Sequence, residues 1–131
     1  MLEIIPSLDP AILKPYCEKC GKTYGPEFFA YLASRGGTLL AAGLFEMLGD
    51  RVQAVMYEGD KNDPWLFDGV LRAGLHYAIT KRSILIGCLP KEFRAEYAEL
   101  FKPLNYPAGN TFDIPSFFKL YKNCGRGPEN D

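Results

Sequence analysis

Between Phe28 and Glu58 the chain is punctuated by glycine: "FFAYLAS", then "RGG", then "TLLAAGLFEML", then "GD", then "RVQAVMYEG". Glycine supplies the positive φ that tight hairpin turns need, and the flanking runs are rich in aromatic and β-branched residues. The pattern predicts three antiparallel strands in a meander, which restricts the chain to folds built around a sheet. "TLLAAGLF" alternates poorly, as a strand buried on both faces does and as a buried helix does over the same length, and Gly43 at its centre suits a β-bulge.

The flanks of this meander alternate in type. "LEII" is a short apolar run stopped by Pro6 and reads as an edge strand. Asp9 as N-cap, Pro10 at the first helical position and Gly21 at the end mark a helix, shortened or kinked by Pro15. After the meander, "DPWLFDGVLRAGLHYA" opens with Asp63 placed to accept from first-turn N–H groups and Pro64 where no hydrogen bond is lost. Phe67, Val70, Leu71, Gly74, Leu75, Ala78 and Ile79 form its apolar stripe. Asp68, Arg72 and His76 succeed one another on another face, as a surface ion pair with a solvated histidine beyond it.

"SILIGC" then reads as a strand and "PKEFRAEYAELFKPL" as a helix, with Phe93, Tyr97, Leu100 and Phe101 on one face and Glu92, Arg94, Glu96 and Glu99 outside. A strand around Thr111 to Ile114 closes the sheet, and "GRGPEND", about 125–131, frays. The aromatic residues Phe112, Phe117, Phe118 and Tyr121 cover either the core or an interface between subunits. The order predicts one α/β (α+β) domain over residues 1–131, with a mixed, mainly antiparallel central sheet flanked by helices on both faces.

Composition excludes several partners. The 15 basic and 16 acidic residues give a formal charge of −1 and are interspersed, so the phosphate-neutralising surface of a nucleic-acid binder is not expected. No apolar run approaches the roughly 20 residues that span a bilayer, and "MLEIIPSLDP" lacks the basic and apolar regions of a secretory signal. A cytoplasmic location is the expectation. Cys17, Cys20, Cys88 and Cys124 are too few and too unevenly spaced for a disulfide scaffold. "CEKCGK" is half of a zinc knuckle, but no second close pair completes it, so no metal ligands are assigned. The pair also falls near a helix C-terminus, where the dipole disfavours a redox-active thiolate.

The central meander, the helix with glycine in its first turns, the apolar strand and the last amphipathic helix ending in "LFKPLNYP" together resemble the GNAT acyltransferase superfamily. The resemblance spans Phe28 to Pro107 and rests on element order and local pattern. It implies a fold of mixed, mainly antiparallel sheet and a Q/RxxGxG/A signature whose backbone N–H groups bind the pyrophosphate of acetyl-CoA. Placed on "LFDGVLRAGL", that signature puts Gly69 at the first glycine, with Val70, Leu71 and Arg72 completing the cofactor-binding turn. Leu66 stands at the Gln/Arg position and Leu71 at the second glycine, both departures from the pattern. Asp68 beside Gly69 adds a charge that repels phosphate.

The resemblance also implies a carboxylate at the end of the preceding strand that takes a proton from the attacking amine. Glu58 stands there, with Tyr57 the nearest hydroxyl. The family's last helix commonly ends like "LYEKLGF", its tyrosine protonating the departing thiolate. Here "LFKPLNY" puts Phe101 at that position, and Tyr97, one turn earlier, is the substitute acid. Each residue has a plainer role beside the implied one: Glu58 as a polar strand end, Gly69 in helix packing and Tyr97 in the core.

Three functional classes follow. The first is an acyl-CoA-dependent N-acyltransferase with a small-molecule acyl donor and a small amine or peptide acceptor. The second is a GNAT-fold protein without transfer chemistry that binds a ligand or pairs with itself as a homodimer. The third is a zinc or redox module centred on Cys17 and Cys20.

Overall fold

The computed structural model describes residues 1–119. Tyr121, Cys124 and the expected frayed tail at 125–131 lie outside the described residues. In chain order the elements are β1 (Leu2–Ser7), α1 (Pro10–Lys19), β2 (Phe28–Arg35), β3 (Thr38–Leu48), β4 (Arg51–Glu58), α2 (Pro64–Arg82), β5 (Ile86–Cys88), α3 (Lys91–Glu96), α4 (Ala98–Phe101) and β6 (Thr111–Asp113). Residues 114–119 are helical.

The predicted turns form as read. Gly36, Gly37 and Gly49 all take positive φ at the two hairpins. The Asp9 carboxylate accepts from Ala11 N at 3.0 Å, and the Asp63 carboxylate accepts from Leu66 N at 3.1 Å, so both helices start where their N-caps place them. Six strands make one sheet in sequential order, antiparallel throughout except for β4 and β5, which run parallel across the α2 crossover.

That parallel pairing is short. Only Arg51, Val52 and Gln53 pair, with Ile86, Gly87 and Cys88. Beyond Gln53 the two strands diverge, so the second half of β4 has a strand partner on its β3 side and none on its β5 side among the described residues. A bulge on β4 at Val55, where Leu44 pairs with Met56 and Phe45 with Ala54, adds local bend and twist to the diverging strand.

The sheet separates two cores. On one face α1 seals a small cluster of Leu13, Cys17, Phe28, Ala30, Leu44 and Met56. On the other, α2, α3 and α4 bury Phe29, Phe45, Phe67, Val70, Leu71 and Leu75. Close approach of α2 to β3 depends on two glycines. A Cβ on Gly43 would stand 2.6 Å from Val70 Cγ1, and one on Gly74 would lie 2.3 to 2.5 Å from three ring carbons of Phe45. Gly43 therefore serves helix packing, and the β3–β4 irregularity lies one residue further on.

Three expectations change in detail. Pro6 lies within β1, opposite Tyr31, because an edge strand leaves one side free of ladder bonds and tolerates the missing N–H. The helix expected over Pro90 to Leu104 breaks at Tyr97, whose φ of −112° and ψ of 30° end α3 and precede α4. Asp68 is not on a surface row: it is 5% exposed and accepts from Tyr106 Oη at 2.8 Å. Phe117 is buried and Phe112 packs against the core, so these two aromatic residues cover the core.

Candidate functional site

Where β4 and β5 part, α3 and α4 stand across the gap from the end of β4 and the start of α2. The opening is a two-lobed cleft. Its inner lobe, about 300 Å³, is lined by Tyr57, Glu58, Gly59, Lys61, Glu96, Tyr97 and Leu100. The outer lobe, about 680 Å³, continues over Asn62, Pro64 and Glu99 and shares Lys61, Glu96, Tyr97 and Leu100 with the inner one. Clefts of this volume lie in the range that small-molecule ligands and cofactors occupy.

The structure brings Glu58 and Tyr97 together on this cleft, one from the end of β4 and the other from the helix break. Tyr97 is buried, and its hydroxyl does two things at once: it donates to Tyr57 O at 2.8 Å and accepts from Tyr57 N at 3.0 Å. A single side chain thus satisfies both backbone groups that the divergence of β5 leaves unpaired at this position. The residue that makes this tie is the one at which α3 ends and α4 begins. Burial pushes the Tyr97 phenol up, so it remains a proton donor across the neutral range.

Glu58 is exposed and pairs with Lys19 of α1 at 2.5 Å. Its carboxylate is therefore accessible from solvent and from the inner lobe, with a cation held beside it. Tyr57 is 4% exposed, and its hydroxyl is buried without a hydrogen-bond partner among the described residues. It lies directly beneath Gly59, where an added Cβ would stand 2.5 Å from it. Burial, followed by the carboxylates of Asp63 and Asp60, pushes this phenol well above its ordinary value.

The four residues assigned to a phosphate cradle are placed elsewhere. α2 begins at Pro64, so Gly69, Val70, Leu71 and Arg72 lie in its second and third turns, where their amides are spent on bonds to carbonyls four residues earlier. Val70 and Leu71 are core residues, Gly69 faces Ile4 of β1, and Arg72 stacks its guanidinium 5.5 Å from the ring centre of Phe118. The open end of α2 lies earlier, at the loop 59–63. There the Asp63 side chain takes the Leu66 amide and its carbonyl takes the Phe67 amide at 3.3 Å. Residues 69–72 thus do not fit a pyrophosphate: their amides are already bonded within the helix, and at its open end the Asp63 carboxylate occupies the place where phosphate would gain from the helix dipole.

Sequence reasoning missed the acidic wall of the cleft. Glu96 and Glu99 stood out only as the polar face of an amphipathic helix, and nothing in that periodicity shows that the face borders a cavity. His76 is exposed and away from the cleft lining. The CxxC pair ends α1 as read. Cys17 is buried in the α1-side core and Cys20 half-buried, and burial pushes both thiols up. Among the described residues no three His, Cys, Asp or Glu side chains converge as a metal site. No helix among them is long and apolar enough to cross a membrane.

No protein-family model matches the chain, and no curated protein does. Solved structures do. The ribosomal-protein-S18-alanine N-acetyltransferase of Escherichia coli aligns over 84% of this chain and 80% of its own, with a TM-score of 0.51 at 16% identity. The coenzyme A-bound solution structure of YhhK from E. coli aligns over 86% of this chain and 98% of its own, with a TM-score of 0.49 at 16% identity. The chain therefore has the fold of a GNAT N-acetyltransferase: a mixed α/β domain whose six-stranded sheet is flanked by helices.

Proposed function

We propose that the protein is an N-acyltransferase that moves an acyl group from a thioester donor to an amine, with the cleft between β4 and α3/α4 as its working site. One observation carries the reading: Glu58 and Tyr97, the candidate base and acid, line the same inner lobe. Glu58 takes a proton from the attacking amine, and Tyr97 returns one to the departing thiolate after its hydroxyl leaves the Tyr57 carbonyl. The GNAT fold makes acetyl-CoA the first donor to test. Because residues 69–72 do not fit its pyrophosphate, its hold on the protein rests on the cleft and the loop 59–63. The protein is expected to work in the cytoplasm.

The capped start of α2 and the tied Tyr97 hydroxyl favour a second reading, a GNAT-fold protein that binds a ligand without transferring an acyl group. A thermal-shift titration with acetyl-CoA and coenzyme A, paired with a thiol-release assay, separates the two. Acetyl-CoA at about 100 times its dissociation constant stabilises the fold by ~2.7 kcal/mol. A flat melting curve with no thiol released in the presence of amines sinks the transferase reading.

A further inference from the structure

The end of α1 stands beside the inner lobe. Lys19, in the last turn of that helix, donates from Nζ to Glu58 Oε2 at 2.5 Å, and Glu58 lines the lobe. The same ammonium lies 5.7 Å from the ring centre of Tyr16, so two contacts aim the side chain at the end of β4. Burial raises the neighbouring Cys20 thiol, and the carboxylates of Glu96 and Glu58 raise it further, which puts this end of α1 within electrostatic range of both sides of the lobe.

A general base must lie within hydrogen-bond reach of the proton it takes. Glu58 is the candidate base, and the Lys19 ammonium meets that condition inside the chain itself. Of the lysines among the described residues, Lys19 is the one paired with Glu58. Lys61 only lines the lobe, and Lys22 pairs with Glu46 instead.

We propose that Lys19 is an internal acyl acceptor, so that the protein acylates its own α1 at the Lys19 Nζ. This rests on the acyl-transfer reading, with Glu58 and Tyr97 in the roles given above. The Lys19 nitrogen bonds to the acyl carbon of the thioester as the carbon–sulfur bond breaks and its electron pair leaves on sulfur. Two protons leave the nitrogen: one passes through Glu58 to solvent, and the other replaces the proton that Tyr97 gives the departing thiolate. The product amide carries no charge, so the ion pair is lost and Glu58 becomes open to an amine from solution.

Uncatalysed acylation predicts a different pattern. The hydrogen bond and then the charge of Glu58 hold the Lys19 ammonium above its ordinary pKa. Lys19 is thus a poor target for a thioester acting without the site, and removing Glu58 speeds that reaction.

Peptide mass mapping of the full chain after incubation with acetyl-CoA tests the proposal. An acetyl group is expected on Lys19 ahead of Lys14, Lys22 and Lys61, at a fractional rate that does not change with protein concentration. E58Q, checked for folding by circular dichroism, should slow labelling of Lys19 about 100-fold, the lower end of what a positioned base contributes. Label spread evenly over these lysines, or undiminished on Lys19 in E58Q, overturns the proposal. Label absent from Lys19 overturns it as well. If thiol is still released with ethylamine or glycylglycine as added acceptor, the transferase reading then stands, and if no thiol is released the two fall together.

Discussion

Replacing Tyr97 by phenylalanine removes one oxygen and nothing else from the packing among Tyr57, Phe67 and Phe93. That oxygen closes two hydrogen bonds, to Tyr57 N and Tyr57 O. Each bond is worth about 1 kcal/mol net, and an unpaired buried backbone group costs about 1–3 kcal/mol, so Y97F should destabilise by about 2–3 kcal/mol once partial hydration from the cleft is allowed for. For 131 residues this corresponds to a fall in melting temperature of roughly 7–11 °C. Y57F is the matched control: it deletes a hydroxyl with no partner among the described residues and should leave stability unchanged or raise it by up to about 1 kcal/mol. Urea unfolding of the two variants beside the parent decides the matter. A cost below ~1 kcal/mol for Y97F, or equal costs for the two, would refute the assignment of the open β4 edge to the Tyr97 hydroxyl.

Other substitutions test the rest of the structure. Gly74→Ala drives a methyl into the Phe45 ring and should cost about 2 kcal/mol or more, whereas Gly69→Ala meets only the mobile end of Ile4 and should be neutral or slightly stabilising by thermal melting. Asp63→Ala removes the N-cap of α2 and should cost about 1 kcal/mol in the same assay. Burial raises the Asp68 carboxyl above its unfolded value, more than the Tyr106 hydroxyl and Arg72 lower it. A raised native value means that stability is fully present below the unfolded pKa, about 3.9, and is lost as pH rises through the native one. Asp68→Asn should therefore gain on the parent from pH 4 to pH 7 in urea unfolding; a stability difference that does not change with pH would contradict this.

The strands, turns and helix starts were legible because local chemistry decides them: glycine at the hairpins, Asp9 and Asp63 with a following proline at the helices. The short β4–β5 pairing was not, since it follows from the twist and bulge of one strand and leaves no local signature. Tyr97 fell on the apolar side of a helical period, and its bond to a backbone 40 residues away is invisible to periodicity. Asp68 and Arg72 at i, i+4 read as a surface pair, but the fold brings Tyr106 over the carboxylate. The phosphate cradle expected on Gly69 follows a glycine spacing, and that spacing falls a turn and a half beyond the helix opening that Asp63 and Pro64 themselves mark. The cap at Asp63 puts that opening before Pro64, so the matched residues lie inside the helix.

The measurement closest to the central claim is the amide nitrogen–proton NMR spectrum of the 131-residue chain during titration with acetyl-CoA. If the cleft is the working site, the largest shifts fall on Tyr57, Glu58, Gly59 and Lys61 and on residues 96–100, with Tyr57 N–H moving most as the Tyr97 hydroxyl is displaced. Shifts confined to the α1 face around Lys14 and Lys22, or a spectrum unchanged up to millimolar donor, would contradict it.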